Sequence, residues 1–241
     1  MSYKVLLHKR LQPFSWLGSA LAQERAQNRY CQAESFYKMS IDSSGVVTSD
    51  WRAELPTLAA RLVVLREPIS QDVRPLVELL SLADACRFGL DEPVNDHLVQ
   101  QFIARARHDR TTGLGFTFVV TIGPAGTVSG LVQVRQLDPS FETGEWECML
   151  APSSRGTGVF LETARLVGSF AFDAVGAHRL ESRVLLQNGR ANGALRKLGA
   201  VQEGVLRRSL RRGGLYVDQV LWSLLKEDWG LHWLSTGSRV H

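Results

Sequence analysis

The sequence predicts an α/β domain folded around one mixed sheet, and three observations carry that prediction. The first is a strand, a glycine turn and a helix in succession: 144–150, then Ser153 to Gly158, then a helix from about Phe160. The second is a three-strand meander over 116–122, 127–137 and 145–150, whose first turn runs from Gly123 to Gly126. The third is segment order: strand, two helices, meander, helix, strand, helix and hairpin. Helices and strands interleaved in this way require layers around one sheet. No internal repeat is visible.

Taken in order, residues 1–56 show no firm period. Leu17, Ala20 and Leu21 with Glu24, Arg25 and Arg29 suit a short amphipathic helix, and Ser43, Ser44 and Gly45 read as a linker. This stretch is expected to be an N-terminal extension. It is either an appended arm or the product of an upstream start codon, with the natural start near Val46 or Val47. The domain is expected over 57–230, with a tail at 231–241. Within it, Arg61 to Arg66 reads as a strand closed by Pro68, and Ser70 as the N-cap of a helix carrying Val73, Leu76, Val77, Leu79 and Leu80. A second helix is predicted from Asn95 to His108 with Leu98, Phe102 and Ile103 inward. In the strand at 144–150, Trp146, Cys148 and Leu150 alternate with Glu145, Glu147 and Met149. Phe160, Ala164, Val167, Ala171 and Ala174 then recur at helical spacing. A strand at 179–186, a helix at 190–198 and strands at 201–210 and 215–225, joined through Gly213 and Gly214, complete the chain.

Composition bounds the function. The 241 residues are 44% hydrophobic, enough for a core. No apolar run approaches the ~18 residues of a membrane span, so no membrane partner is expected. A net charge of +4 suits anionic partners and is too weak to argue for nucleic acid. Cys31, Cys86 and Cys148 have neither metal nor redox spacing, and their odd number argues against a disulfide scaffold. His97, His108 and His178 also lack ligand spacing, so no metal is expected, and the compartment reads as a reducing cytoplasm. A leader peptide is the alternative, since Lys4, Lys9 and Arg10 precede Leu11 to Leu21. Gln12, Pro13, Ser15, Gly18 and Ser19 break up its apolar stretch.

The glycine turn admits two readings. As a cradle, Gly156 and Gly158 let several backbone N–H groups converge at a helix N-terminus, an arrangement that binds pyrophosphate, and Arg155 adds a charge at its lip. As a connector, two glycines between a strand and a helix need no ligand. The turn is not of dinucleotide type, because the third glycine and the later acidic residue are missing. Nor does it have the Gly-Lys-Ser/Thr ending of a triphosphate loop.

The wider pattern bears on the choice. Leu62 to Arg66, Glu145 with Leu150, Ala151 and Pro152, and Arg155 to Gly158 stand in order. His178 to Glu181, Asn188 to Ala191, Arg196 to Gly199, and the hairpin from Gly204 through Tyr216 and Asp218 to Leu225 follow. Over 58–229 this set resembles the GNAT superfamily of acyl-CoA-dependent N-acyltransferases, nearest to the branch containing ribosomal-protein N-terminal acetyltransferases. The resemblance implies a mostly antiparallel mixed sheet with helices on both faces and two splayed strands, 145–150 and 179–186, holding acetyl-CoA as co-substrate. It implies backbone N–H groups of Arg155, Gly156, Thr157, Gly158, Val159 and Phe160 on the pyrophosphate, and Met149 and Leu150 backbone beside the pantetheine. Asn188 falls where the pantetheine arm is often hydrogen-bonded, although Asn-Gly equally serves helix entry. Lys197 is either a solvent-facing helix residue or a CoA phosphate contact. Two departures stand out. Phe160 replaces the usual small residue, and either packs into the core or narrows the CoA site. Leu195 replaces a Tyr that protonates the leaving thiolate in many members.

Amine acylation by a thioester needs a neutral amine, a polarised carbonyl and an exit for the proton. An α-amine of pKa about 7.7–8.0 needs only a modest base. Glu145 and Glu147 share a strand face, and either suits that role, with Glu145 first because it matches the family's recurring carboxylate. Both are alternatively surface or ion-pair carboxylates. An N–H near Met149 or Leu150 would polarise the carbonyl. Tyr216 is a second candidate for substrate contact or acid, against a buried structural tyrosine, and Asp218 reads as structural. Arg207, Arg208, Arg211 and Arg212 form either a solvated hairpin face or a receptor for an acidic group. The expected activity is direct acetyl transfer to a primary amine, on a protein N-terminus or a small molecule. The alternatives are a catalytically reduced acyl-CoA-binding module and a protein-interaction domain. A homodimer is compatible with either.

Overall fold

The computed structural model describes residues 50–82, 93–123, 125–212 and 214–229. Its strands are β1 (Leu58–Ala59), β2 (Val64–Arg66), β3 (Gly115–Ile122), β4 (Thr127–Gln136), β5 (Thr143–Leu150), β6 (Arg179–Leu185), β7 (Val201–Arg212) and β8 (Leu215–Leu225). They form one sheet in the order β1-β2-β3-β4-β5-β6-β8-β7. Every neighbouring pair is antiparallel except β5 and β6, which run parallel. The helices are α1 (Val73–Leu80), α2 (Asp96–Thr111), α3 (Val159–Ser169) and α4 (Gly189–Leu198).

Strand alternation divides the core into two layers. On one face Phe116, Phe118, Trp146, Leu180, Val184 and Trp222 pack with α3 and α4. On the other, Val119, Leu131 and Met149 pack with α1 and α2. Trp146 and Met149 thus take opposite faces of β5, as their odd spacing requires. The mostly antiparallel sheet with helices on both faces is the predicted architecture.

Local details depart from expectation for identifiable reasons. Ser70 does not cap α1. It opens a 3₁₀ turn, Ser70–Asp72, whose Asp72 carboxylate accepts the Ile69 N–H at 2.8 Å and both terminal nitrogens of Arg66 at 2.7 Å. One carboxylate there satisfies a helix end and a guanidinium together, which a serine hydroxyl cannot. Asn95 does cap α2, accepting from Leu98 N–H at 3.0 Å, and Val99 rather than Leu98 points fully inward. The helix expected to reach Ala174 is α-helical to Ser169 and continues as a π-turn over Phe170–Val175, ended by Gly176 at φ 91°.

The domain also starts earlier than residue 57. Trp51 and Leu55 are buried in the larger core, and the Trp51 ring meets Phe116 and Phe141 edge-on, each at 5.9 Å. An isolated aromatic in an aperiodic stretch gives no periodic signal of its burial. The expectations for 1–49, Cys31, Cys86 and the tail at 231–241 fall outside the described residues.

Candidate active site

β5 and β6 are in register only at Thr143–Arg179, Gly144–Leu180 and Glu145–Glu181. Beyond Glu145, β5 stays paired with β4 as far as Leu150. β6 instead follows β8, where Leu185 pairs with Gln219. The two parallel strands therefore diverge, and the β6-facing edge of 146–150 is left without a ladder partner. A cleft of about 600 Å³ fills the wedge.

The cleft is lined from both faces of the sheet. Trp146, Cys148, Leu150, Val184, Phe160 and Leu195 line it on the α3–α4 side, and Arg155, Gly156, Asn188 and Arg190 also line it. Glu147, Met149, Arg183 and Arg212 line it too. Glu147 and Met149 share the other face by alternation, and Arg183 joins them because it bonds to Glu145 on that face. Arg212 pairs across the hairpin with Leu215, on the same side of β8 as Leu221, the partner of Arg183. One half of the cleft is thus mainly apolar beside a helix N-terminus, and the other carries charge.

The glycine turn has the backbone it was predicted to need. Gly156 and Gly158 adopt φ of 80° and 91°, and Gly158 caps α3 without a side-chain acceptor. As at any α-helix start, the first N–H groups of α3 have no intrahelical acceptor. Thr157 Oγ1 closes the turn on Ser154 O at 2.8 Å, and Arg155 Nε donates to Leu150 O at 3.2 Å. Glu162, in the first turn of α3, accepts Leu62 N–H at 2.7 Å and so ties the cradle to the β1–β2 connection. Val159 belongs to the core, and Thr157, Gly158 and Val159 do not line the cleft.

Phe160 is half-buried against the larger core. Its ring stacks on Trp146 with centroids 6.1 Å apart, and it also forms a wall of the cleft. Asn188 lines the cleft while its Oδ1 caps α4 by accepting Ala191 N–H at 3.1 Å. Asn192, one turn on, donates to Leu185 O at 3.0 Å and Asn188 O at 2.9 Å and accepts from Trp222 Nε1 at 2.9 Å. It welds α4 to the end of β6.

Three expected residues stand elsewhere. Glu145 is buried and does not line the cleft. It accepts from Arg183 Nη1 at 2.7 Å and, through its other oxygen, from Arg135 Nη2. Tyr216 is 63% exposed, neither buried nor lining the cleft, because it lies near the tip of the hairpin opposite Arg211. Lys197 is exposed on α4 and likewise outside the lining. Asp218 is structural as expected, since its carboxylate accepts the N–H of Arg208, a residue at φ 49° inside a bulge of β7.

Sequence reasoning assigned no site role to Arg183, Arg190 or the inner wall of β6, and it singled out Arg212 only within the basic face of the hairpin. The signal for the wall was present, because the even residues of β6 are buried and the odd ones half-buried in strict alternation. Electrostatically, Glu145 opens a charge ladder across the sheet. Arg183 Nη2 bonds Glu181 at 3.1 Å, Arg179 Nε bonds Glu181 at 3.0 Å, and Arg179 Nη1 bonds Glu203 at 2.7 Å. The hydrogen bonds from Arg179 draw Glu203 down to about 2. In the cleft wall, burial pushes the Cys148 thiol up to about 12, so it is protonated at neutral pH and unfit as a nucleophile. No three His, Cys, Asp or Glu side chains cluster as a metal site among the described residues, and no helix there is long and apolar enough to cross a membrane.

Comparison with known proteins agrees with this architecture. The Bacillus subtilis protein YdaF, named provisionally as a ribosomal N-acetyltransferase, is 25% identical over 104 residues, 43% of this chain. The matched stretch spans 57% of that relative's length. The fold resembles a ribosomal-protein-S5-alanine acetyltransferase from Vibrio fischeri at TM-score 0.63 and 19% identity, covering 72% of this chain and 98% of that one. It also resembles Mycobacterium smegmatis RimJ, solved in complex with CoA-disulfide, at TM-score 0.61 and 19% identity, covering 73% and 89%. The family model for the acetyltransferase (GNAT) domain matches residues 62–201, more than half of the sequence, and the chain belongs to that family.

Proposed function

We propose that the protein is an acetyl-CoA-dependent N-acetyltransferase that moves the acetyl group directly to a primary amine, on a protein N-terminus or a small molecule. The observation that carries the reading is the two-sided cleft at the β5–β6 divergence, with the N-terminus of α3 at one end. Pyrophosphate suits the N–H groups of the turn and of the first turn of α3, and Arg155 and Arg190 in the lining add positive charge. The unpaired edge of β5 at Met149 and Leu150 offers main-chain groups to the pantetheine as an added strand would. One of its N–H groups would polarise the thioester carbonyl.

The amine approaches from the charged half. Glu147 lines that half and is the better placed proton acceptor, because Glu145 lies outside the lining. As the amine attacks, the C–S bond breaks; the ammonium proton passes to Glu147, directly or through water, and the thiolate leaves. With the Cys148 thiol pushed to about 12, an acyl-cysteine intermediate is disfavoured and the transfer is direct.

The test is a thermal melt with and without acetyl-CoA, followed by an acceptor screen over N-terminal peptides and small amines. At 100 times Kd the ligand should stabilise the fold by about 2.7 kcal/mol, a rise of roughly 5–10 °C in Tm. No shift with folded protein free of co-purified CoA would refute the reading.

A further inference from the structure

At the vertex of the cleft, the last bond between the diverging strands is made by side chains. Register pairing of β5 with β6 ends at Glu145–Glu181. Arg183 lies two residues further along β6, where the strands have separated, and its side chain lines the cleft. It reaches back across the vertex to Glu145 at 2.7 Å, while its second nitrogen bonds Glu181 at 3.1 Å. Glu145 in turn holds Arg135 of β4 through its other oxygen. One buried carboxylate thereby ties β4, β5 and β6 together at the point where the sheet opens.

Backbone pairing alone would leave that point undetermined. The free edge of β5 above Glu145 is a template on which β6 could continue to zip, closing the wedge. A guanidinium held between Glu145 and Glu181 has fixed plane and reach, which a single point charge would not supply. We infer that the Glu145–Arg183 pair is the pin that sets the opening of the cleft, and that Glu145 is a positioning residue acting through Arg183 and not the proton acceptor. The inference rests on the acetyl-CoA reading above for its kinetic consequence.

The test compares wild type with Glu145→Gln, Arg183→Met and Arg183→Lys. Hydrogen exchange of the 182–186 amides is followed in the ligand-free protein, acetyl-CoA Kd by calorimetry, and kcat and KM across pH. The pin predicts faster exchange at 182–186 in Glu145→Gln and Arg183→Met. It also predicts a rise of about tenfold in acetyl-CoA Kd and KM, with the pH midpoint of kcat unmoved. Arg183→Lys, which retains one ionic bond, should recover part of that loss, a rescue that general loosening of the sheet would not give. If Glu145→Gln abolishes the acid limb of the pH–rate profile while acetyl-CoA affinity is intact, Glu145 is the base and the inference falls. It falls equally if folded variants keep wild-type exchange and affinity. Should the single variants fail to fold, Glu145→Gln/Arg183→Gln replaces the ion pair by an amide pair and carries the same measurements. A wild type that does not bind acetyl-CoA overturns the proposed function, and the exchange rates then decide the pin on their own.

Discussion

Asp109 offers a prediction whose size follows from its surroundings. It sits in the last turn of α2, 4% exposed, with Arg105 Nε 3.9 Å from its carboxylate and His108 beside it. Burial raises its pKa from an ordinary 3.8 to about 6, and its neighbours Arg105 and His108 pull it back only in part. Below pH ~3 the carboxyl is protonated in both folded and unfolded chains, and its contribution to stability is fully present. As pH rises, the unfolded chain releases the proton first, so stability is lost until the folded carboxyl has also ionised, near pH 6. A difference of roughly two pKa units corresponds to about 3 kcal/mol. Asp109→Asn keeps a neutral group of the same shape at every pH. In urea titrations the variant should match wild type near pH ~3 and exceed it by about 3 kcal/mol at pH 7, with Tm higher by about 6–12 °C. Taking the difference between the two proteins cancels the other carboxylates. A difference that stays constant from about pH 3 to pH 7, or a wild type more stable at pH 7, would refute the reasoning.

Three shorter predictions accompany it. Glu147→Gln should lower kcat by about 10²–10⁴-fold with acetyl-CoA affinity retained, read by steady-state kinetics and calorimetry together. Cys148, its thiol pushed to about 12, should resist iodoacetamide at pH 7.5 in the folded protein and react on unfolding, as peptide mapping of that one cysteine would show; Cys148→Ala should retain turnover. In Gly168→Ala the new methyl would lie 2.4 Å from the Trp229 ring, so the ring must move. A loss of about 1–3 kcal/mol is expected, with changed near-ultraviolet dichroism.

What the sequence revealed and what it hid follow from the range of the interactions. The alternation along β6 is local, although its buried wall was passed over, and the glycine turn at 156 and 158 is equally dictated within a few residues and was legible. Trp51 was not, because a lone buried aromatic has no period, and Tyr216 was not, because exposure at a hairpin tip depends on how far the hairpin outruns its neighbours. The pair Glu145 and Glu147 shows the limit most sharply. They share one face of one strand, and no local rule ranks them. What separates them is the rung at which β6 leaves β5, set by residues some 35 positions later and by the pull of β8. Two residues of strand are about 7 Å. On that distance turns whether a carboxylate lies in an ion-pair cage at the vertex or faces the cleft, so the role of each acid is a property of the strand divergence and not of the motif that contains both.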